Sequence, residues 1–210
     1  MLASQEGNND CIELLLKNHA DPNLQQKNGA TALMHASYNG HKDCVEILLK
    51  NHADPNLQSE DGYTALMLAS YNGHKDCVEI LLQHNVDPNL KDNQGNTALM
   101  VASQEGKKDC VVILLQHNSD PNLQRDDGVT ALMLASLYGH KDCVELLLKH
   151  NADPNLKKKD DETALLIATH KGKNDCVEIL LQHNADPNLQ RKDGATALML
   201  ASQEGNNDCI

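Results

Sequence analysis

The chain contains no tryptophan, no phenylalanine and only four tyrosines among 210 residues. A core without large rings must be assembled from Leu, Val, Ile, Met, Cys and Ala, through many small contributions. No apolar run approaches the roughly 18 residues that a membrane-spanning helix needs, so membrane insertion is not expected. Residues Met1 to Glu6 lack the basic start and apolar stretch of a secretory signal. Seven cysteines without such a signal point to a reducing, intracellular setting, and the cytoplasm is the expected one.

Chemistry is sparse too. There is no C-x-x-C or H-x-x-x-H spacing, no glycine-rich phosphate loop and no nucleophile placed beside a base. We therefore expect no catalytic residues, no metal site and no cofactor: the chain does not read as an enzyme. The net charge of −12 carries little information about partners, because 18 of the 30 acidic residues recur at fixed positions before Cys, before Pro or in "CVE" and "CIE". Those framework acids would repel phosphate, and the few aromatics are not interleaved with Lys or Arg, so nucleic acid is not an expected partner.

What is present is order. All six prolines (Pro22, Pro55, Pro88, Pro121, Pro154, Pro187) share one phase, and all seven cysteines, from Cys11 to Cys209, share another; every step is 33 residues without a slip. Self-similarity at this period is the signature of a stacked solenoid. One unit reads "SEDGYTALMLASYNGHKDCVEILLQHNVDPNLK", residues 59–91. Asp61-Gly62 is a tight-turn dipeptide. Thr64 is placed to cap a first helix whose small inner face carries Ala65, Leu66 and Ala69, and Gly73 ends it. Asp76 suits the first turn of a second helix, along which Cys77, Val78, Leu81 and Leu82 recur at helical spacing. Asn85 tolerates the left-handed turn that closes it, and Pro88 prevents continuation. Neither helix is long enough to stand alone, so stability must come from stacking.

The run "TALMLAS" followed by "GH", "V-x-x-LL" and "DPNL" resembles the ankyrin repeat across the whole chain. The resemblance implies an all-α solenoid of stacked helix-turn-helix repeats with projecting β-hairpin fingers. Its whole repeats fall at 26–58, 59–91, 92–124, 125–157 and 158–190, flanked by partial ones at 1–25 and 191–210. The family's Pro is Ala in "TAL" and its His is Met or Leu at positions 34, 67, 100, 133, 166 and 199, which trades a Thr–His hydrogen bond for apolar contact. Cysteines one repeat apart sit about 10 Å from each other, as packed helices do, too far for a disulfide; a buried column of small hydrophobes is expected instead. His41, His74 and His140 are expected to hydrogen-bond structurally at second-helix starts. His84, His117, His150 and His183 suit the negative end of the same helices.

If the frame carries no function, the varying phases can. Three vary most: the finger tips (including Arg125, Lys158, Lys159), the position after the turn (Tyr63, Asn96, Val129, Glu162), and the pair before the helix-ending Gly. That pair reads Tyr38-Asn39, Tyr71-Asn72, Gln104-Glu105, Leu137-Tyr138 and His170-Lys171 in successive whole repeats. In ankyrin-like stacks such phases line the concave groove of fingers and first helices, and all four tyrosines fall in them. The expectation is a non-catalytic scaffold that binds a partner protein there. The alternative is a structural array, a tether or head-to-tail filament in which the chain self-associates. The segment 156–175 is the most divergent, with Asp161 in place of the turn Gly and with Leu166 and Thr169 unique at their phases; it is either a specialised contact or a worn repeat.

"MLASQEGNNDCI" occupies both 1–12 and 199–210, a closer match than any internal repeat offers. A six-repeat unit that recurs within a longer array is the expectation, with apolar faces open at both ends.

Overall fold

The structure, a computed structural model, describes residues 1–204, and among them it contains helices and no β-strand. The helices are α1 (Leu2–Gln5), α2 (Asn9–Lys17), α3 (Ala32–Asn39), α4 (Lys42–Lys50), α5 (Ala65–Asn72), α6 (Lys75–Leu82) and α7 (Ala98–Gln104). They continue as α8 (Lys108–Gln116), α9 (Ala131–Tyr138), α10 (Lys141–Lys149), α11 (Ala164–His170), α12 (Asn174–Gln182) and α13 (Ala197–Glu204). Odd-numbered helices pack against one another down one column, even-numbered ones down another, and each pair packs internally.

Local chemistry sets the ends of each first helix. Thr64 Oγ1 accepts the Met67 amide at 3.2 Å, and Thr31, Thr97, Thr130 and Thr163 cap in the same way. Gly73 closes α5 in the left-handed region at φ 80°. Gly40 does the same for α3, and there a second demand applies: an added Cβ would meet the His74 ring at 2.6 Å. That ring crosses from the next repeat so that Nε2 donates to the Tyr38 carbonyl at 3.0 Å. His41 and His140 reach Gln5 O and Gln104 O in the same way, which bears out their structural role.

The second helices end as read. His52, Asn85, Asn118, Asn151 and Asn184 all take positive φ. At the phase just before, His84, His150 and His183 donate from Nδ1 to the carbonyl four residues back, and Asn51 does so with its amide. Beyond them the DPNL asparagines join the repeats. Asn56 Oδ1 accepts the Asp87 amide at 2.9 Å, and Asn23, Asn89, Asn122 and Asn155 repeat the bond one period apart.

The core is a column of small and medium apolar side chains. Leu66, Met67, Ala69, Cys77, Val78 and Leu81 are at most 2% exposed, and the Met at 34, 100 and 133 and Leu166 are buried likewise. Five cysteines, from Cys44 to Cys176, lie in this column, where burial pushes the thiols of Cys77, Cys110, Cys143 and Cys176 up to about 11. Cys11 departs from the expectation and is exposed, since α2 is covered on one side only, by α4. Cys209 lies outside the described residues. Exposed leucines mark both ends: Leu14 and Leu15 on α2, Leu181 on α12 and Leu198 on α13.

The fingers are tight turns. Ser59 N donates to Tyr63 O at 3.0 Å and Gly62 N to Ser59 O at 2.9 Å, while Glu60 N reaches Asn28 O of the neighbouring finger. Each arm closes on one cross-bond before the chain enters a helix, so no strand ladder develops and the hairpins expected from the resemblance are reduced to their tips.

Candidate functional site

Fingers and first helices meet on one face of the stack, and there they enclose a cleft of about 390 Å³. Its walls come from two neighbouring fingers, through Arg125, Val129, Lys158 and Glu162. Its floor is Met133 and Leu134 on α9 and Ile167 on α11, and further walls come from Gln104 at the end of α7, Leu137 and Tyr138 at the end of α9, and His170 with the following Lys171 at the end of α11.

The variable phases singled out in the sequence thus divide. Gln104, Arg125, Val129, Leu137, Tyr138, Lys158, Glu162, His170 and Lys171 converge on the cleft. Tyr38 and Tyr71 stand exposed further along the same face, at 48% and 47%. Tyr63 leans into the core; burial, reinforced by Asp92 and Asp61, pushes its phenol up. Asn39 and Asn72 spend their amides on carbonyls at helix ends, His35 O for the first, Leu68 O and Tyr38 O for the second. Asn96 binds the buried Asp92 carboxylate at 3.0 Å and accepts from Arg125. Glu105 accepts from the Gln104 side chain, and Lys159 projects into solvent from its finger tip.

Met133, Leu134 and Ile167 reach the cleft without having been singled out. They read as frame residues, yet one signal was there: the position after "TALM" or "TALL" runs His35, Leu68, Val101, Leu134, Ile167 and Leu200, more varied than a pure packing position needs.

The walls are charged and braced. Arg125 forms a two-pronged contact with Asp127, which raises the guanidinium and holds the Asp127 carboxyl below its ordinary range. Lys158 bonds Glu162 at 2.9 Å and Asp160 at 3.0 Å; burial would lower its ammonium, but the two carboxylates outweigh it and the net direction is up. Arg191, on the next finger, approaches Glu162 at 3.4 Å. At the wall the Tyr138 ring stacks near His140, with centroids 6.3 Å apart. His170 Nδ1 is buried with no hydrogen-bond partner among the described residues. The arrangement offers shaped apolar area, fixed charge and one phenol, which suits recognition.

A family model described as ankyrin repeats (three copies) matches residues 1–92, 85–158 and 150–210. Among solved structures, the human ASB11 ankyrin repeat domain is similar with a TM-score of 0.88 at 25% identity, covering 99% of this chain and 94% of that one. The ankyrin repeat domain of Bcl-3, a member of the IkappaB protein family, is similar with a TM-score of 0.87 at 25% identity, covering 99% and 95%. No curated protein matches the chain by sequence. Among the described residues no helix is long and apolar enough to cross a membrane.

Proposed function

Because the chain belongs to the ankyrin repeat family, whose repeats serve as protein-interaction modules, we propose that it is a non-catalytic scaffold holding a partner protein against the face of fingers and first helices. The observation that carries this reading is the clustering of variable-phase side chains on one cleft. Nine positions chosen for their variation fall around the same 390 Å³, while the frame beneath them repeats. Tyr138, 51% exposed at the cleft wall, is the kind of rigid amphipathic ring that anchors interfaces, and Tyr38 and Tyr71 extend the surface beyond it.

Photocrosslinking from two single positions tests the reading: a crosslinker at Tyr138 in the groove, and one at Glu46 on α4, a second helix. The groove position should capture discrete protein species that the Glu46 position does not. Equal capture at both positions, or none at Tyr138, would sink the idea.

A further inference from the structure

The charge of the cleft runs against the charge of the chain. The protein carries a net −12, yet the cleft is lined by Arg125, Lys158 and Lys171 against a single carboxylate, Glu162. That carboxylate is already held by Lys158 and Arg191, and Arg125 is braced by Asp127. Lys171 is different. It is exposed and forms no ion pair with any acid among the described residues, and beside it stands the unpartnered Nδ1 of His170. Below these groups the floor is apolar: Met133, Leu134 and Ile167 are buried, with Leu137 half-buried above them.

Two kinds of occupant fit this badly. A purely apolar segment would cover Lys171 without pairing it, and burying an unpaired cation is costly. A basic segment would meet three cations of its own sign. Resting on the groove-binding reading above, we propose that the cleft receives a bulky apolar side chain of a partner protein that is flanked in its own sequence by carboxylates. The apolar side chain packs on Leu137 and the floor, the Tyr138 ring walls it in, and a flanking Asp or Glu accepts from Lys171. The apolar floor distinguishes this occupant from a polyphosphate strand, which the acidic frame around the cleft would also repel.

Selection of random displayed peptides on the whole chain tests the chemistry, with Lys171→Glu as the counter-selected control and far-ultraviolet circular dichroism confirming that this exposed substitution leaves the fold intact. Enriched peptides should pair Leu, Ile, Met or Phe with a neighbouring Asp or Glu. By fluorescence polarisation they should bind about tenfold more weakly to Lys171→Glu, and more weakly at high salt than at low. Peptides without acidic residues, acidic peptides indifferent to Lys171→Glu, or no enrichment over the control would each overturn the proposal. Non-acidic peptides that lose binding on Tyr138→Ala would remove this chemistry while leaving the groove reading in place. Peptides indifferent to both substitutions, together with failed crosslinking from position 138, would remove the groove reading itself.

Discussion

The repeats at 59–91 and 158–190 share one frame and present different surfaces. In both, a capping Thr opens the first helix, a Cys–Val pair and a Leu three residues on fill the second, and the residue that closes the second helix, Asn85 or Asn184, accepts through its carbonyl from the DPNL asparagine of the preceding repeat. Where the first carries Ser59, Tyr63, Tyr71 and Asn72, the second carries Lys158, Glu162, His170 and Lys171, and all four of the latter line the cleft. Four of the positions at which the second repeat differs thus line the cleft, while Leu166 and Thr169, unique at their phases, stay 1% and 2% exposed. A repeat that had merely worn would be expected to lose packing along with its consensus.

That comparison can be broken in three places. The largest effect is expected in the shared frame: Leu81→Ala and Leu180→Ala remove side chains that are each 0% exposed and should each cost about 3 kcal/mol in chemical denaturation. If the two values differ by more than about 1 kcal/mol, the error expected of independent but equivalent sites, the frame is not equally sound in both repeats.

An intermediate effect is expected at the turn. Gly62 sits at φ 82°, and a Cβ there would lie 2.7 Å from the Asn93 amide of the next finger, so Gly62→Ala should cost about 2 kcal/mol. Asp161 occupies the same phase at φ 60° with a side chain already in place. Asp161→Gly should therefore gain about 0.5 kcal/mol, the relief of left-handed strain less the added freedom of the unfolded chain. A thermal shift downward on Asp161→Gly would show that the Asp side chain contributes to its finger.

The smallest effect is expected in the hydroxyl column. Ser70 Oγ is buried with no hydrogen-bond partner among the described residues, as are the hydroxyls of Ser37, Ser103 and Ser136 at the same phase. Thr169 instead donates from Oγ1 to Leu165 O at 2.9 Å and adds a methyl to the core. Ser70→Ala should then stabilise by about 1 kcal/mol, and Thr169→Ala should destabilise by about the same amount, read from denaturation midpoints. Opposite signs sharpen the contrast between the repeats, whereas equal signs would abolish it.

Most of the fold was legible because its rules are short-range. A Thr hydroxyl reaches an amide three residues ahead, Gly relieves a left-handed helix end, and an apolar i, i+3, i+4 pattern declares its buried face, all within one 33-residue window. The fingers expected from the resemblance are present as tight turns whose arms close on one cross-bond each, with no strand among the described residues. The candidate site was only half legible. Its variable rim could be named from the sequence, but Asn39, Asn72 and Asn96 vary as freely and are spent on local hydrogen bonds. The floor residues Met133, Leu134 and Ile167 looked like ordinary packing.

The sequence by itself determined the repeat, its two helices, their caps and the buried cysteine–valine–leucine column, because each follows from chemistry between residues a few positions apart. Only the tertiary structure decided that His74 would seek the Tyr38 carbonyl, and that Arg125, Tyr138, Lys158 and Lys171 would surround one space. Those outcomes depend on how far each repeat is shifted and turned against the next. That offset is set by the packing of whole helix faces and by the asparagine bonds between repeats, which no single 33-residue unit contains.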